Sequence, residues 1–296
     1  MHSSRTVTVL AAVGTVAILA ASAAAQPPRT PLALEPRGST GEAIWPAYEG
    51  WSRNADGSLT LLLGYYNRNE EVVEIPVGED NRLGPGEADK GQPTHFLPGR
   101  NWGVFSITVP EDRADERLTW TIRVNNQLAE IAFWANPAYY TDPFLNRANG
   151  NIPPTLRIGA DGAEMQGPPH GVSATWSTTV GEPLGLLATV TDRPLTIEPE
   201  QRRGRRRRPP VSLTWKKYRG PGEVTFGAEG KDAGAELTHT FEEVAGGETL
   251  TTATFSEPGR YRLMATGNDV SGDGGGGDQC CWTTAHVDVV VTEAVP

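Results

Sequence analysis

The chain has 296 residues, with 26 basic and 36 acidic side chains, a formal net charge of -10 and only two cysteines. An acidic balance excludes a general nucleic-acid or anionic-membrane binder, whose footprint is a basic face, and two cysteines in such a length are not a disulfide framework. The length fits two domains of ordinary size, each able to bury a core without covalent help.

Residues 1–25, MHSSRTVTVLAAVGTVAILAASAAA, carry one basic side chain (Arg5), then an apolar run from about Val7 to Ala21, then small residues. That is the three-part pattern of a cleaved secretory signal, with cleavage expected before Gln26. The run is short for a membrane span, which needs roughly 20 apolar residues. Removing it leaves 25 basic against 36 acidic side chains, a net charge of -11. No later segment is apolar enough to cross a bilayer, so the expected location is periplasmic or extracellular. Residues 26–39 are expected to be a disordered lead-in.

From there the pattern is alternation, with no sustained i, i+3, i+4, i+7 recurrence. Leu59, Leu61 and Leu63 share one strand face, as do Phe105, Ile107 and Val109, and Leu118, Trp120, Ile122 and Val124. The turns NADG (54–57) and LGPG (83–86) are chemically explicit. Residues 40–140 therefore read as a β-sandwich. Trp120 belongs to its core, whereas Trp51 and Trp102 lie near turns, where a ring can stack on a sugar or on a partner chain, with core or edge packing as the plainer reading. The segment 65–96, punctuated by Pro76, Pro85 and Pro93, reads as a shaped loop between strands, either a ligand cleft or an elaborate turn.

Residues 141–154 are aperiodic and rich in Asn, Gly and Pro, and read as a linker. Alternation then resumes in LGLLATVTD (184–192), VSLTWKKY (211–218), EVTF (223–226), TTATF (251–255), GRYRLMATGND (259–269) and HVDVVV (286–291). This spacing, with a central Trp and a late Tyr, predicts an immunoglobulin-like sandwich over 155–294. The fold class is thus all-β: two β-sandwich domains, the second immunoglobulin-like, behind a cleaved signal, with no helix required in the mature chain.

The stretches VSLTWKKYRGPGEVTF, TATFSEPGRYRLMATGND and HVDVVVT together resemble the polycystic-kidney-disease (PKD) type of immunoglobulin-like domain of bacterial surface and secreted proteins. Those domains run V-x-L-x-W, a GPG turn, T-x-x-F, then G-x-Y-x-L before an Asp-bearing turn. The match spans roughly 152–291 and departs from the family in a long basic loop (193–210) and in the segment DGGGGDQCCW (273–282). The resemblance implies a spacer, adhesion or protein-contact role, and implies nothing about the first half of the chain.

Candidate chemistry is sparse. Cys280 and Cys281 are adjacent, with Cα atoms about 3.8 Å apart across a trans peptide, under the usual disulfide span of about 4.4 to 6.8 Å. A strained vicinal disulfide is the leading hypothesis; one buried thiol, an intermolecular bond and a metal ligand are the alternatives. Cys281 before Trp282 has the order of a papain-type nucleophile, but no helix N-terminus or histidine partner is in reach to lower its pKa.

Asp269, Asp273 and Asp278, with Asn268, offer oxygens to a hard cation such as Ca²⁺, but their spacing does not match the calcium-loop pattern, and solvated turn residues are the plainer reading. No cofactor is expected. Arg202, Arg203, Arg205, Arg206, Arg207 and Arg208 form the one strong charge block, either a self-repelling loop or a grip for anionic polysaccharide or an acidic protein. The five histidines are scattered, and HExxH, GxSxG and GxxxxGK[ST] are absent. The function expected is an exported, non-catalytic binding or structural module of the bacterial cell envelope or extracellular space, contacting protein or polysaccharide. The alternative is a secreted polysaccharide hydrolase, which needs two carboxylates facing each other at roughly 5 to 10 Å.

Overall fold

Alternating apolar residues become half-buried strands, and the protein is built almost wholly of them. A computed structural model describes residues 41–141, 150–193, 211–227, 233–243, 245–269 and 281–294. The signal segment, residues 26–39, the arginine block, Asp273, Asp278 and Cys280 lie outside the described residues.

The strands of the first half are β1 (Ile44–Arg53), β2 (Leu59–Asn67), β3 (Val73–Glu74), β4 (Asn81–Gly84), β5 (His95–Phe96), β6 (Gly99–Val109), β7 (Leu118–Val124) and β8 (Gln127–Phe133). Those of the second are β9 (Thr155–Ile158), β10 (Glu164–Met165), β11 (Ala174–Thr179), β12 (Leu184–Thr191), β13 (Ser212–Arg219), β14 (Val224–Phe226), β15 (Glu236–Thr240), β16 (Gly246–Phe255), β17 (Gly259–Asn268) and β18 (Trp282–Thr292). Among the described residues the only helical turns are two short 3-10 turns, Glu111–Arg113 and Pro137–Tyr139.

In the first half, the sheets β1-β2-β6 and β4-β7-β8 enclose one apolar cluster, with β3-β5 as a small ladder beside them. Leu59, Leu61, Leu63, Phe105, Leu118, Trp120 and Ile122 all lie in this cluster, as their alternation requires. Trp120 is fully buried, edge-on to Phe105 at 5.0 Å, and its Nε1 donates to Asn81 Oδ1 at 3.1 Å. The segment 65–96 is more ordered than a loop: its first three residues finish β2, and it contains β3, β4 and β5. Buried amides fasten it, for Asn81 Nδ2 donates to the carbonyls of Ile75 and Pro93, and Gln92 Nε2 to those of Asn81 and Ala88.

In the second half, the sheet β10-β9-β12-β16-β14 faces the sheet β11-β18-β17-β13-β15 across a core of Leu156, Leu186, Val190, Leu213, Trp215, Phe255, Leu263 and Val287. The order β9-β12-β16 against β18-β17-β13, with β11 parallel to β18, is immunoglobulin-like. Trp215 sits buried on the strand such domains call C. Tyr261, at the start of β17, donates its hydroxyl to Glu257 O at 2.8 Å and accepts from Gly222 N at 3.0 Å, the corner that fixes this crossing in such sandwiches.

That corner explains the turn sequence Gly220-Pro221-Gly222. The Tyr261 ring lies against the turn, so that a Cβ on Gly220 would sit 2.1 Å from Tyr261 Cδ1. With φ at +140°, Gly220 also occupies a backbone region that side chains avoid. Tyr261→Phe removes the hydroxyl but keeps the ring. It should lower stability by about 1 to 3 kcal/mol, read as a lower urea midpoint with an unchanged m-value.

Candidate functional site

Alternation along β18 places Ala285, Val287, Val289 and Val291 in the second core. The opposite face, Trp282, Thr284 and His286, would meet water in an isolated domain, yet all three are buried. What covers them is the first half of the chain. Trp282 packs with Leu62 and Trp102, and His286 Nε2 lies 3.0 Å from Val104 O. Met264 on β17 and Tyr218 on β13 belong to the first half's apolar cluster.

Tyr218 reaches that cluster through a β-bulge. Lys217 and Arg219 pair with Leu263 and Arg262 in succession, leaving Tyr218 without a cross-strand partner. Such a bulge re-aims a side chain. The Tyr218 hydroxyl donates to Gly91 O at 2.6 Å, and its own carbonyl accepts from Thr94 N at 3.3 Å. On either side, Lys217 Nζ meets Glu74 at 2.7 Å, and Arg219 forks onto Asp89 at 2.8 and 3.0 Å. His95 Nδ1 shares the same Glu74 oxygen at 2.6 Å.

The electrostatics follow from burial. Burial opposes ionisation of Glu74, but the hydrogen bonds from His95 and Lys217 outweigh it and hold its carboxyl below the ordinary value. The Arg219 fork holds Asp89 down as well. His286 is driven down to about 3, by burial first and then by the Arg262 charge, against the pull of Val104 O. It is therefore neutral at pH 7, and since a carbonyl only accepts, Nε2 carries the proton and donates.

Beside this joint is a groove of about 280 Å³ between the two halves. Its first-half wall includes Arg100, Asn101 and Trp102, and its second-half wall Thr214, Lys216, Glu236, Thr266 and Thr284. The Arg100 guanidinium lies 3.8 Å over the Trp102 ring and bonds to Glu49 Oε1 at 2.6 Å, while Gly103 N donates to Glu49 Oε2 at 2.7 Å. Burial pushes the Glu49 carboxyl up, and Arg100 pulls it back. Glu49 bulges out of β1 and crosses Gly64, where a Cβ would fall 2.0 Å from Glu49 Oε1. Each oxygen of this carboxylate is thus taken by a fixed donor, which suits structure rather than proton transfer.

Of the residues singled out from sequence, Trp102 lies in this groove, with one ring face covered by Arg100. Trp51 is elsewhere: its Nε1 donates to Asn136 O at 2.7 Å and its ring meets Tyr140 edge-on at 5.1 Å. Asp269 is buried, accepts from Asn151 Nδ2, and donates its own N–H to Cys281 O at 3.3 Å. Cys281 is fully buried, and no described cysteine is free. Sequence reading passed over Arg100, Glu49, Lys216 and Lys217, and set His286 aside as one of the scattered histidines. The available signals were the unbroken run Leu61-Leu62-Leu63 and the Trp and His on the outer face of β18.

No family model and no curated protein matches the chain. Among solved structures, domains 4 and 5 of the S-layer protein SbsC align over 85 % of this chain and 98 % of theirs, at 12 % identity and a TM-score of 0.22. The titin immunoglobulin tandem A164-A165 aligns over 86 % and 100 %, at 11 % identity and a TM-score of 0.21. An endo-fucoidan hydrolase of glycoside hydrolase family 107 aligns over 87 % of this chain but 31 % of its own, at 12 % identity and a TM-score of 0.24. Likenesses of this size carry no argument about topology or function; the immunoglobulin-like topology is established by the strand order above. No helix among the described residues is long and apolar enough to cross a membrane.

The buried His286 sets a pH dependence. Between about pH 6.5 and 3 the unfolded chain takes up a proton that the folded chain refuses, so its contribution to stability falls as pH drops through that window. Asp192, raised to about 6 by burial and by the Asp269 charge, acts with the opposite sign in the upper part of that window. His286→Gln keeps a donor for Val104 O and leaves Asp192 untouched. Urea midpoints measured at pH 7.5 and pH 5 should therefore fall further for the wild type than for the variant.

Proposed function

We propose that this chain is an exported, non-catalytic binding or structural module of the bacterial cell envelope or extracellular space. Its first half, 40–140, is a β-sandwich module, and its second, 155–294, a PKD-type immunoglobulin-like domain. Support for the PKD assignment comes from the V-x-L-x-W that leads into β13, and from the GPG turn and the G-x-Y-x-L of β17, the last two of which meet in one corner around Tyr261. Support for export comes from the leader sequence.

The observation that carries the functional reading is the groove at the joint. Aromatic, cationic and hydroxyl side chains line it, drawn from two halves that are locked by Lys217, Tyr218, Arg219 and His286. A groove with fixed walls loses little conformational freedom on binding, and this lining suits the edge of a polysaccharide or a polar protein segment. The arginine block 202–208 is proposed as an additional contact for anionic groups, with salt-sensitive binding as its mark.

Affinity electrophoresis of residues 26–296 through gels holding envelope polysaccharides tests this. Retardation is expected, and about a tenfold loss of affinity in Trp102→Ala, equivalent to about 1.4 kcal/mol. Retardation unchanged by Trp102→Ala and Lys216→Ala would move the contact off the groove, and release of reducing ends would replace this reading with the hydrolase. We also propose that Cys280 and Cys281 are bonded to each other. The mature monomer should then be two hydrogens lighter than its dithiol form and inert to alkylation; two alkylated thiols would sink that pairing.

A further inference from the structure

β12 and β17 lie in opposite sheets of the second half, and their last turns come together at one end of the sandwich. A Cβ placed on Gly267 would lie 3.4 Å from Val190 Cγ1 and 3.9 Å from Pro154 Cγ, so Val190, Gly267 and Pro154 meet there. Side chains two residues apart on a strand share a face. One step further along each strand, the face of Val190 carries Asp192 and the face of Gly267 carries Asp269. Asn151, three residues before Pro154, closes the group by donating its amide to Asp269 Oδ2.

All three side chains are more than nine-tenths buried: Asp192 is 7 % exposed, and Asp269 and Asn151 are each 2 % exposed. Asp192 Oδ1 is buried with no hydrogen-bond partner among the described residues. The neighbouring cation, Arg193, is exposed. Its charge and backbone favour the ionised Asp192 but do not offset burial and the charge of Asp269. A carboxylate oxygen held dry beside a second carboxylate and met by no donor is costly to leave bare.

We propose that Asp192, Asp269 and Asn151 hold a hard divalent cation with the chemistry of Ca²⁺ at this end of the sandwich. Two carboxylates and an amide are oxygen donors of the kind Ca²⁺ prefers, with backbone carbonyls and water able to complete six to eight ligands. The cation would bind the entry of the second half, at Asn151, to the ends of β12 and β17, and so brace that end of the module. Extracellular sites of this sort work at about 10⁻⁴ to 10⁻³ M Ca²⁺. The inference stands on the end of the sandwich alone and does not depend on the groove or its ligand.

The test uses residues 26–296 freed of metal with EDTA. Terbium is the probe, because Trp282 pairs with Asn268, next to Asp269, and can pass its excitation to a bound lanthanide. Saturable terbium emission on tryptophan excitation is expected, displaced by Ca²⁺ and weakened at least tenfold in Asp192→Asn. About 10 mM Ca²⁺ should raise the wild-type Tm by several degrees and leave that of the variant unmoved. Asp192→Asn should fold, since it removes one of two repelling charges; Asn151→Ala is the second variant and should weaken binding as well. Terbium emission indifferent to both substitutions, or a wild-type Tm indifferent to Ca²⁺, overturns the proposal.

Discussion

Trp282 to Val287 are six consecutive buried residues of β18, and an extended strand can bury both faces only if something covers each. The second core covers one. The first half covers the other, through Leu62, Trp102, Val104 and the bulged Tyr218. Much of the molecule's behaviour follows from this doubly covered sheet. It fixes His286 as a neutral donor, leaves Lys217 only 4 % exposed against Glu74, and sets the walls of the groove. Farther along β18 the cover ends, and Asp288 and Val290 are only partly buried, with Asp288 turning to Arg262 instead.

The joint is polar where it could have been greasy, and that has an energetic meaning. The pair of buried Lys217 with half-exposed Glu74 stabilises little over an apolar pair of the same shape, because desolvation of the ammonium consumes most of its Coulomb gain. Removing one partner, however, leaves a charge stranded. Arg219 would likewise lose its partner if the exposed Asp89 were removed, whereas the neutral His286 stands to lose only its hydrogen bond to Val104 O. Such contacts add less to raw affinity than to uniqueness: a shift of one residue along β13 would strand Lys217 and pull Tyr218 from the first core. The two halves are held in one arrangement, which a passive spacer or a two-walled binding groove requires.

Much of the fold was legible in the sequence, and the gaps have physical causes. β2, β6, β7, β12, β13, β17 and β18 follow period-two runs because one face of each packs in a core. β1 was not legible, since the bulge at Glu49 shifts its alternation midway. β8 was passed over, though Asn125 and Asn126 at φ of 52° and 60° form a tight hairpin turn that suits Asn. The small strands of 65–96 depend on Asn81 and Gln92 bonding to distant carbonyls, and nothing local in the sequence encodes such pairings. The aperiodic stretch read as a linker ends in a docked segment, because Asn151 is bound to Asp269, 118 residues away.

For the candidate sites the difficulty was of another kind. Sequence reading looked for chemistry in unusual composition: the cysteine pair, the glycine run and the arginine block. The structure gathers polar side chains instead where alternation must stop, at strand ends and bulges. Glu49 and Tyr218 sit on bulges, and Asp192 and Asp269 each follow a strand's last residue. There the backbone leaves its ladder, side chains can turn from the core without reaching water, and charges are trapped that need a specific partner. At Glu49 that partner is Arg100, and at Glu74 it is Lys217 with His95. Asp192 Oδ1 has none among the described residues, which sets it apart from Glu49 and Glu74 and makes it the position where an outside cation has something to do.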